Sequence, residues 1–384
     1  MGAAMSREAY IRSLFTGADQ HQNFQTMDTI FPLGRMSASP EPFVFPGAAE
    51  IALPANYRYE GKLRSIDGFL EETETMALLV LKSGVLVFER YAPWGGRDRR
   101  WKSMSVAKSV ISASLGIAVG TGLVATLDDS ISSYLPELSG SAYDGVRIKD
   151  VLQMSSGAGW NEDYSDPDSD INRFAAITAK GGSFNGFPPT LKRAREPGTF
   201  NFYNSTDTQV LGMLLKRVTA RPIHAYVQDV LWHPLGMESE ACWLLDDTGM
   251  EMAYAGLNAT ARDYLKIGEL FRLGGCWQGR QIVPNAWVKA SITPDAPHLM
   301  PGDMSHSDSL WGYGYQWWIM DGTEGEFAAV GVYNQFIYVN PARDIVMVKL
   351  SANRRYGLTN DETSYRELET IEALRQIAIA ASDQ

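Results

Sequence analysis

The stretch Trp101-Lys-Ser-Met-Ser105-Val-Ala-Lys108-Ser-Val-Ile-Ser-Ala-Ser-Leu115 decides how this sequence is interpreted. Its second half has the apolar spacing of a helix, which places Ser105 and Lys108 on one helical face. A serine hydroxyl is a weak nucleophile until an adjacent base takes its proton. Lys108 suits that role if burial and the helix N-terminus lower the pKa of its amine toward about 7. The segment therefore predicts an acyl-transfer pair, although a helix cap beside a solvated lysine has the same spacing.

The composition is that of a folded protein and argues against nucleic acid and membranes as partners. The chain has 384 residues, of which 45% are hydrophobic and 21% are charged, enough for one large or two closely packed domains. No apolar run reaches the roughly 18 residues of a membrane span, so we expect no membrane insertion. The formal net charge of −11 argues against nucleic acid and anionic membrane surfaces as partners.

The few cysteines and histidines predict neither a metal site nor a cofactor. Cys242 and Cys276 lack metal-ligand and redox spacing, and a disulfide between them is neither indicated nor excluded. The five histidines also lack ligand spacing. Because the start of the chain lacks the basic and apolar regions of a signal peptide, we expect a cytoplasmic protein with free thiols.

Strand patterns stand at both ends of the chain, with helical patterns between them. Residues 1–60, rich in Pro, Gly and Ala, predict an extended N-terminal arm. Residues 61–104 and 276–384 predict a sheet lobe, which begins with a hairpin over 77–91. Residues 105–275 predict a mainly helical lobe. The expected fold class is therefore α+β, an antiparallel sheet flanked by terminal helices with an inserted helical lobe, and an active site in the cleft between the lobes.

Individual elements follow from the same patterns. Residues 205–219 and 260–273 predict helices that begin at hydroxyl caps, and residues 362–380 predict a C-terminal helix. Four late stretches are rich in β-branched and aromatic residues and predict strands, at 314–319, 327–330, 335–339 and 345–350.

Two further motifs follow the Ser105 segment along the chain. Tyr203-Asn-Ser205 ends a loop that leads into a helix, and Val330-Gly331-Val332-Tyr333-Asn334-Gln335 is a glycine-containing turn between strands. Taken alone, the first is a partly buried tyrosine and the second a β-turn.

Together and in this order, the three motifs resemble those of the class C β-lactamase and penicillin-recognising serine hydrolase family. The resemblance extends over about residues 65–380 and includes His233-Pro-Leu-Gly-Met237 and Gly312-Tyr-Gly-Tyr-Gln-Trp-Trp318. The chain looks most like the 6-aminohexanoate-dimer hydrolase branch, which has a Tyr-x-Ser motif, a lid tyrosine before an Asp-Pro pair, and a Gly-x-x-x-Gln hairpin. The implied fold is that of β-lactamases and transpeptidases.

The resemblance implies a role for each matching residue. Ser105 would be the nucleophile and Lys108 its base, while Tyr203 would pass a proton to the leaving group, with its pKa lowered by the Lys108 ammonium. Ser205 would orient this network or a substrate carbonyl. The backbone amides of Ser105 and Val332 would form the oxyanion hole. By the same resemblance, Tyr164, Gly331, Tyr333 and Gln335 would bind substrate, with Tyr333 at the mouth of the site.

Two departures from the family pattern bear on the substrate. The third motif reads Ala329-Val330-Gly331 where many β-lactamases have Lys-Thr-Gly, so the groups that hold a β-lactam carboxylate are missing. In the aminohexanoate branch an acidic residue eleven positions after the lid tyrosine binds the substrate amine; here that position is Ala175. Both departures therefore favour substrates other than β-lactams and aminohexanoate oligomers.

The sequence therefore predicts a serine hydrolase that forms an acyl-enzyme on Ser105 and cleaves small esters or amides without a cofactor. A homodimer is one assembly that the sequence allows. Ester cleavage is the favoured activity because esters have the better leaving groups. The alternatives are an aminohexanoate-dimer-type amidase, a transacylase, a β-lactamase or D-alanyl-D-alanine peptidase, and a non-catalytic module with the penicillin-binding fold.

Overall fold

A computed structural model describes residues 5–383 of the chain; residues 1–4 of the predicted arm and residue 384 lie outside the described range. The strands, in chain order, are β1 Leu33–Met36, β2 Asn56–Tyr59, β3 Lys62–Ser65, β4 Thr75–Lys82, β5 Val85–Tyr91, β6 Trp101–Lys102, β7 Ala241–Leu244, β8 Leu257–Ala259, β9 Cys276–Trp277, β10 Arg280–Gln281, β11 Gly312–Tyr313, β12 Trp318–Ile319, β13 Phe327–Gly331, β14 Gln335–Asn340 and β15 Ile345–Ser351. The α-helices are α1 Arg7–Ser13, α2 Ile66–Glu72, α3 Ala107–Gly120, α4 Ile131–Tyr134, α5 Ile148–Leu152, α6 Asp170–Lys180, α7 Ser205–Thr219, α8 Ile223–Val227, α9 Ala261–Arg272, α10 Asn285–Ile292, α11 Glu362–Tyr365 and α12 Glu367–Ser382.

The main sheet is antiparallel and joins strands from the two ends of the chain, as the sequence predicts. Its order is β11-β12-β13-β14-β15-β4-β5, so the early hairpin pairs with the last strand. The hairpin turns at Ser83 and Gly84, which both have positive φ, the backbone that a tight two-residue turn requires. The last strand, β15, thus pairs with β4, a segment more than half the chain away.

Helices cover both faces of this sheet. Along β14, Phe336 belongs to one hydrophobic core and Ile337 to the other, because successive strand residues point to opposite faces. The C-terminal helix α12 covers the first face, and α9 covers the second. Gly268 of α9 lies so close to the sheet that a Cβ there would be 2.5 Å from a methyl of Val346. The absence of a side chain therefore sets the close approach of α9.

Helix α3 occupies the centre of the molecule. It is buried from Ala107 to Ala118, between the main sheet and the helices that follow it. At Gly116 an added Cβ would lie 2.5 Å from the Trp287 ring, so α10 packs directly on the α3 backbone. The start of α3, where Ser105 and Lys108 lie, is therefore held rigidly at the boundary of the two lobes.

The predicted lobe boundaries differ from the observed ones in two places. The N-terminal stretch is not simply extended: it contains α1, and β1 pairs with β7 in a small sheet of order β1-β7-β8-β6. This small sheet also interrupts the region 105–275 that was predicted as mainly helical. The second part of the sheet lobe was predicted to begin at residue 276. In the structure it begins earlier, at Ala261, because α9 packs on the main sheet.

Several predicted elements are confirmed, one strand is shorter than expected, and one helix is divided into two. Helix α7 has the predicted bounds, and the Thr260 side chain caps α9 by accepting from Asp263 N. The predicted strand 314–319 is reduced to β12, because the chain turns at Gln316, which has a φ of 64°. The predicted C-terminal helix is divided at Arg366, where a φ of 54° separates α11 from α12.

Both cysteines are free thiols, and Cys242 is buried. Within residues 5–383, no helix combines the length and the apolar character that a membrane crossing requires.

Candidate active site

Ser105 and Lys108 lie in direct contact at the start of α3. The Lys108 Nζ is 2.8 Å from the Ser105 Oγ, and both side chains are buried. Ser105 stands in a 3₁₀ turn, Met104–Val106, that continues into α3, and Met104 before it has a φ of 48°. This strained turn places the serine at the N-terminal end of the helix, where amides have no intrahelical partner and the helix dipole favours negative charge.

Burial lowers the pKa of Lys108 to about 7, while the charge of Glu162 acts in the opposite direction. The amine is therefore partly neutral at neutral pH and has a free lone pair for the Ser105 proton. Its position is fixed by two further contacts, to Ser205 Oγ and to the Tyr254 carbonyl, each at 3.1 Å.

Glu162 is the centre of the hydrogen-bond network behind Lys108. Its carboxylate accepts the Ser205 hydroxyl at 2.7 Å, the Ser205 amide at 3.1 Å and the Tyr164 hydroxyl at 2.7 Å. The Trp160 indole N–H donates to it as well. These four donors fix the carboxylate, and through Ser205 the carboxylate fixes the lysine.

Tyr203 lies on the other side of the nucleophile. Its ring centroid is 5.0 Å from Lys108 Nζ, and the ring stacks on Trp318 at 5.2 Å. Burial raises the pKa of Tyr203 well above its ordinary value, and its hydrogen bond to Ser105 offsets only part of that rise. The expectation that the Lys108 ammonium lowers this pKa is therefore wrong, because burial keeps the phenol protonated. A protonated phenol suits the delivery of a proton to a leaving group.

The Gly331-Val332 segment at the end of β13 approaches the backbone of Ser105 closely. A Cβ on Gly331 would lie 2.7 Å from the Ser103 carbonyl and 3.0 Å from the Ser105 amide nitrogen, so only glycine fits without a shift. Val332 lines the same cavities as Ser105. The two segments are thus near enough for the Ser105 and Val332 amides to serve one oxyanion.

A large open cleft of about 620 Å³ extends from Ser105 past Tyr203. Its wall is aromatic and acidic, and among the described residues that line it there is no Lys, Arg or His. The lining carboxylates are Glu162, Asp163, Asp308, Asp361, Glu362 and Glu367. Burial raises the pKa of Asp308 to about 6, and burial together with Glu362 raises the pKa of Glu367 to about 8. The cleft is therefore unfavourable for an anionic group.

Tyr164, the predicted lid tyrosine, lies between this cleft and a second, smaller cavity, and lines both. Its ring packs on Phe15 of the N-terminal region at 4.6 Å. Ser205 lines only the smaller cavity. The structure thus brings together Ser105, Lys108, Tyr203, Ser205 and Tyr164.

Tyr333 does not stand at the mouth of the site, where the sequence predicts it. It has a φ of 65°, is 2% exposed, and lines neither cavity. Its hydroxyl accepts the Phe15 amide at 2.9 Å, and its ring packs edge-on against Phe24. The left-handed backbone turns the side chain inward, so Tyr333 anchors the N-terminal region and does not narrow the cleft.

Gln335, which was predicted to bind substrate, does not line the site either. It is fully buried, and its amide donates to the carbonyls of Val332, Tyr333 and Ser351. Its carbonyl oxygen accepts the Trp101 indole N–H and the Ser351 amide. Gln335 therefore positions the turn that carries Val332, and has no access to a substrate.

The sequence profile of the Beta-lactamase family matches residues 64–370, most of the chain. This chain belongs to that family. The 6-aminohexanoate-dimer hydrolase of Paenarthrobacter ureafaciens is 30% identical over 299 residues, which cover 76% of each chain. The chain is therefore a hydrolase of a serine hydrolase family, as the sequence predicts.

Solved structures confirm the fold of this β-lactamase-family chain. "Putative 6-aminohexanoate-dimer hydrolase from Bacillus anthracis" superposes with a TM-score of 0.84 at 21% identity, covering 99% of this chain and 97% of that one. "EstCE1, a hydrolase with promiscuous acyltransferase activity" superposes with a TM-score of 0.61 at 16% identity, covering 82% and 96%. The first likeness includes the N-terminal region, which the family profile leaves out.

Sequence reasoning missed the positions of Glu162, Tyr254 and Lys102 around the nucleophile. Glu162 opens an acidic stretch, residues 162–170, whose composition is also that of a solvated loop, and its contact with Ser205 is what distinguishes it from its neighbours. Tyr254 carries no motif, since it contributes its backbone carbonyl to Lys108. Lys102 lies three residues before Ser105, which no known motif marks, yet it is buried beside the nucleophile.

Proposed function

We propose that this protein is a serine esterase with a Ser105-Lys108-Tyr203 centre, which hydrolyses small esters through an acyl-enzyme on Ser105. The observation that carries the proposal is the 2.8 Å contact between Ser105 Oγ and the buried Lys108 Nζ, whose pKa burial lowers to about 7. A general base with a pKa near the working pH is the most effective one.

The proposed reaction has two steps. Lys108 takes the Ser105 proton as Oγ attacks the ester carbonyl, and the Ser105 and Val332 amides stabilise the oxyanion. The carbon–oxygen bond to the alcohol breaks, and Tyr203 donates the proton that the leaving alkoxide needs. Lys108 returns its proton to Tyr203, and a water molecule then hydrolyses the Ser105 ester by the same route in reverse.

Simple esters are favoured over β-lactams and over peptides whose leaving group carries a carboxylate. The acidic side chains of the large cleft disfavour an anionic leaving group, although the raised pKa of Glu367 keeps that one largely protonated. Val330 lines the cleft in place of a hydroxyl side chain. Aminohexanoate-dimer hydrolysis, the activity in the name of the Paenarthrobacter relative, is less favoured because Ala175 supplies no carboxylate for the substrate amine.

The deciding experiment measures hydrolysis of 4-nitrophenyl acetate and butyrate by the parent protein and by Ser105→Ala. Ser114→Ala is the matched control, because Ser114 is a buried serine of the same helix that bonds only within it. We expect turnover by the parent and the control, and its loss in Ser105→Ala. Intact-mass measurement should show an acyl adduct on the parent and on the control, and none on Ser105→Ala. If the parent neither hydrolyses these esters nor forms an adduct with them, the esterase proposal fails and a binding role is favoured.

A further inference from the structure

A second cavity adjoins Ser105, and Tyr203 is not among the residues that line it. It measures about 60 Å³, and Ile171, Ala175 and Met252 are among its walls. At roughly 10–15 Å³ for each water-sized group, it holds about four to six heavy atoms. Because Tyr203 lines the large cleft and not this cavity, the leaving group belongs to the cleft and the acyl chain to the cavity.

This small cavity contains one charged side chain, that of Lys102, and no carboxylate among the described residues that line it. Lys102 is 4% exposed, and burial lowers the pKa of its amine to about 7. Within residues 5–383 it forms no ion pair; its one hydrogen bond goes to the Tyr10 hydroxyl, at 3.0 Å. Apart from the Tyr10 ring, whose centroid lies 5.0 Å from Nζ, the ammonium has no charge-compensating neighbour among the described residues, and a buried ammonium without a counter-ion is costly. This cost is what lowers the pKa, and a bound anion would restore the charged form.

The polar groups around Lys102 are donors that lack acceptors. An ammonium has three protons, of which the Tyr10 oxygen accepts one. Tyr10 and Tyr254 are both buried, and within the described chain neither phenol donates to a protein acceptor. Tyr254 lines the cavity itself. A group that only accepts hydrogen bonds matches such a surplus of donors. A carboxylate is such a group, and it also supplies the negative counter-charge that Lys102 lacks.

We propose that this cavity is the acyl subsite and that Lys102 binds a carboxylate at the far end of a short acyl chain. The substrates are then half-esters or half-amides of a short dicarboxylic acid. A succinyl group places five heavy atoms beyond its reacting carbonyl, within the four to six that the cavity holds. The inference rests on the proposed esterase function and defines its substrate class.

The reaction remains an ordinary hydrolysis. Ser105 Oγ bonds to the ester carbonyl of the half-ester, and the alcohol leaves through the large cleft with a proton. Water then releases the free dicarboxylate and restores the serine. The remote carboxylate takes part in no bond change; it fixes the acyl chain by its contact with Lys102.

The test compares monoethyl succinate with ethyl 4-methylpentanoate, in which two methyl groups replace the two carboxylate oxygens. Acid release at constant pH measures kcat/KM for both esters. We expect the parent to favour the half-ester at least tenfold. Lys102→Met should lower kcat/KM for the half-ester about 10- to 100-fold, the range of one charge-assisted hydrogen bond, and leave the neutral ester within about threefold. Equal losses on both esters, or no preference in the parent, would overturn the proposal.

Two further variants keep the result interpretable. Lys349→Met removes another buried lysine, one that lines neither cavity, and should leave the ratio of the two esters unchanged. Tyr10→Phe removes the hydroxyl that holds Lys102 and should reduce the half-ester preference even if Lys102→Met fails to fold. If the parent hydrolyses 4-nitrophenyl acetate through Ser105 but shows no half-ester preference, this inference fails alone. If no ester acylates Ser105, the proposed function fails with it.

Discussion

Glu162 reaches Lys108 through a single hydroxyl. Ser205 Oγ donates to Glu162 Oε1 at 2.7 Å and lies 3.1 Å from Lys108 Nζ. Burial lowers the pKa of Lys108 to about 7, and the Glu162 charge keeps it from falling further. The pH at which the base becomes available is thus set by two opposing effects in one network.

Glu162→Gln should shift the acid limb of the ester pH profile downward. The base must be neutral, so kcat/KM of the parent should fall about tenfold per pH unit below about 7. Without the carboxylate the ammonium loses a favourable charge, its pKa falls, and the limb should move down by about one unit. The measurement is kcat/KM for 4-nitrophenyl acetate from pH 5 to 9. Asp163→Asn, a neighbour in the same cleft, is the control, and an upward shift in Glu162→Gln would contradict the assignment.

Tyr203→Phe should affect poor leaving groups more than good ones. A 4-nitrophenolate leaves without a proton, whereas an ethoxide needs one from the phenol. We expect kcat for ethyl esters to fall by about 10²–10⁴, the usual contribution of a general acid, and kcat for 4-nitrophenyl esters to fall far less. The variant keeps the ring that stacks on Trp318. Equal losses for both kinds of ester would show that Tyr203 acts by packing alone.

Lys108→Met should be inactive but more stable than the parent at neutral pH. Burial lowers the pKa of Lys108 to about 7, so between about pH 7 and its ordinary value near 10.5 the unfolded chain binds more protons. The stability of the parent therefore rises with pH across that window. The variant lacks this slope, so its advantage should be largest at and below pH 7, about 2–6 °C in Tm, and should shrink toward pH 10. Thermal unfolding of both proteins at pH 6, 8 and 10 measures this, and an advantage that grows with pH would be inconsistent with a depressed pKa.

Nitrocefin should be hydrolysed weakly or not at all. The β-lactam carboxylate would meet the acidic cleft, and Val330 and Val332 offer no hydroxyl or cation at its edge. The loss of one charge-assisted hydrogen bond costs about 1.5–3 kcal/mol of binding. The measurement is nitrocefin turnover beside 4-nitrophenyl acetate turnover on one preparation. Efficient turnover that Ser105→Ala abolishes would refute the prediction.

Gln335→Met should impair catalysis without changing substrate binding. The amide holds the turn that carries Val332 through bonds to the carbonyls of Val332 and Tyr333. Without these bonds the Val332 amide loses its position, so kcat should fall by about 10²–10³, the effect of one oxyanion-hole donor, with KM within about threefold. The Tm should also fall, because buried acceptors lose their partner. A change confined to KM would restore the predicted substrate-binding role.

Local patterns were enough to predict the elements that meet at the nucleophile. The spacing of Ser105 and Lys108 fixes their contact because a helix places residues three apart on one face. The β-branched and aromatic residues of the late stretches predicted strands there, and β14 and β15 are strands that the fold buries on both faces. These predictions succeeded because each depends on neighbours within a few residues.

The order of the motifs determined the family, and with it the fold and the grouping of Tyr203 and Ser205 around the nucleophile. The side-chain directions in the third motif were not determined in this way. Positive φ at Tyr333 turns its ring to the N-terminal region, and Gln335 is enclosed by Trp101 and Ser351. A turn sequence permits several such conformations, and the packing around it selects one.

Only the tertiary structure decided the electrostatics of the site. The pKa of Lys108 depends on burial by distant segments and on Glu162, which the sequence presents as one of many acidic residues in a loop. The environment of Lys102 likewise requires Tyr10 and Tyr254, from two regions far apart in the chain. Sequence spacing determined which reactive groups are present and adjacent; desolvation and charge, which are properties of the assembled fold, determined what those groups can do.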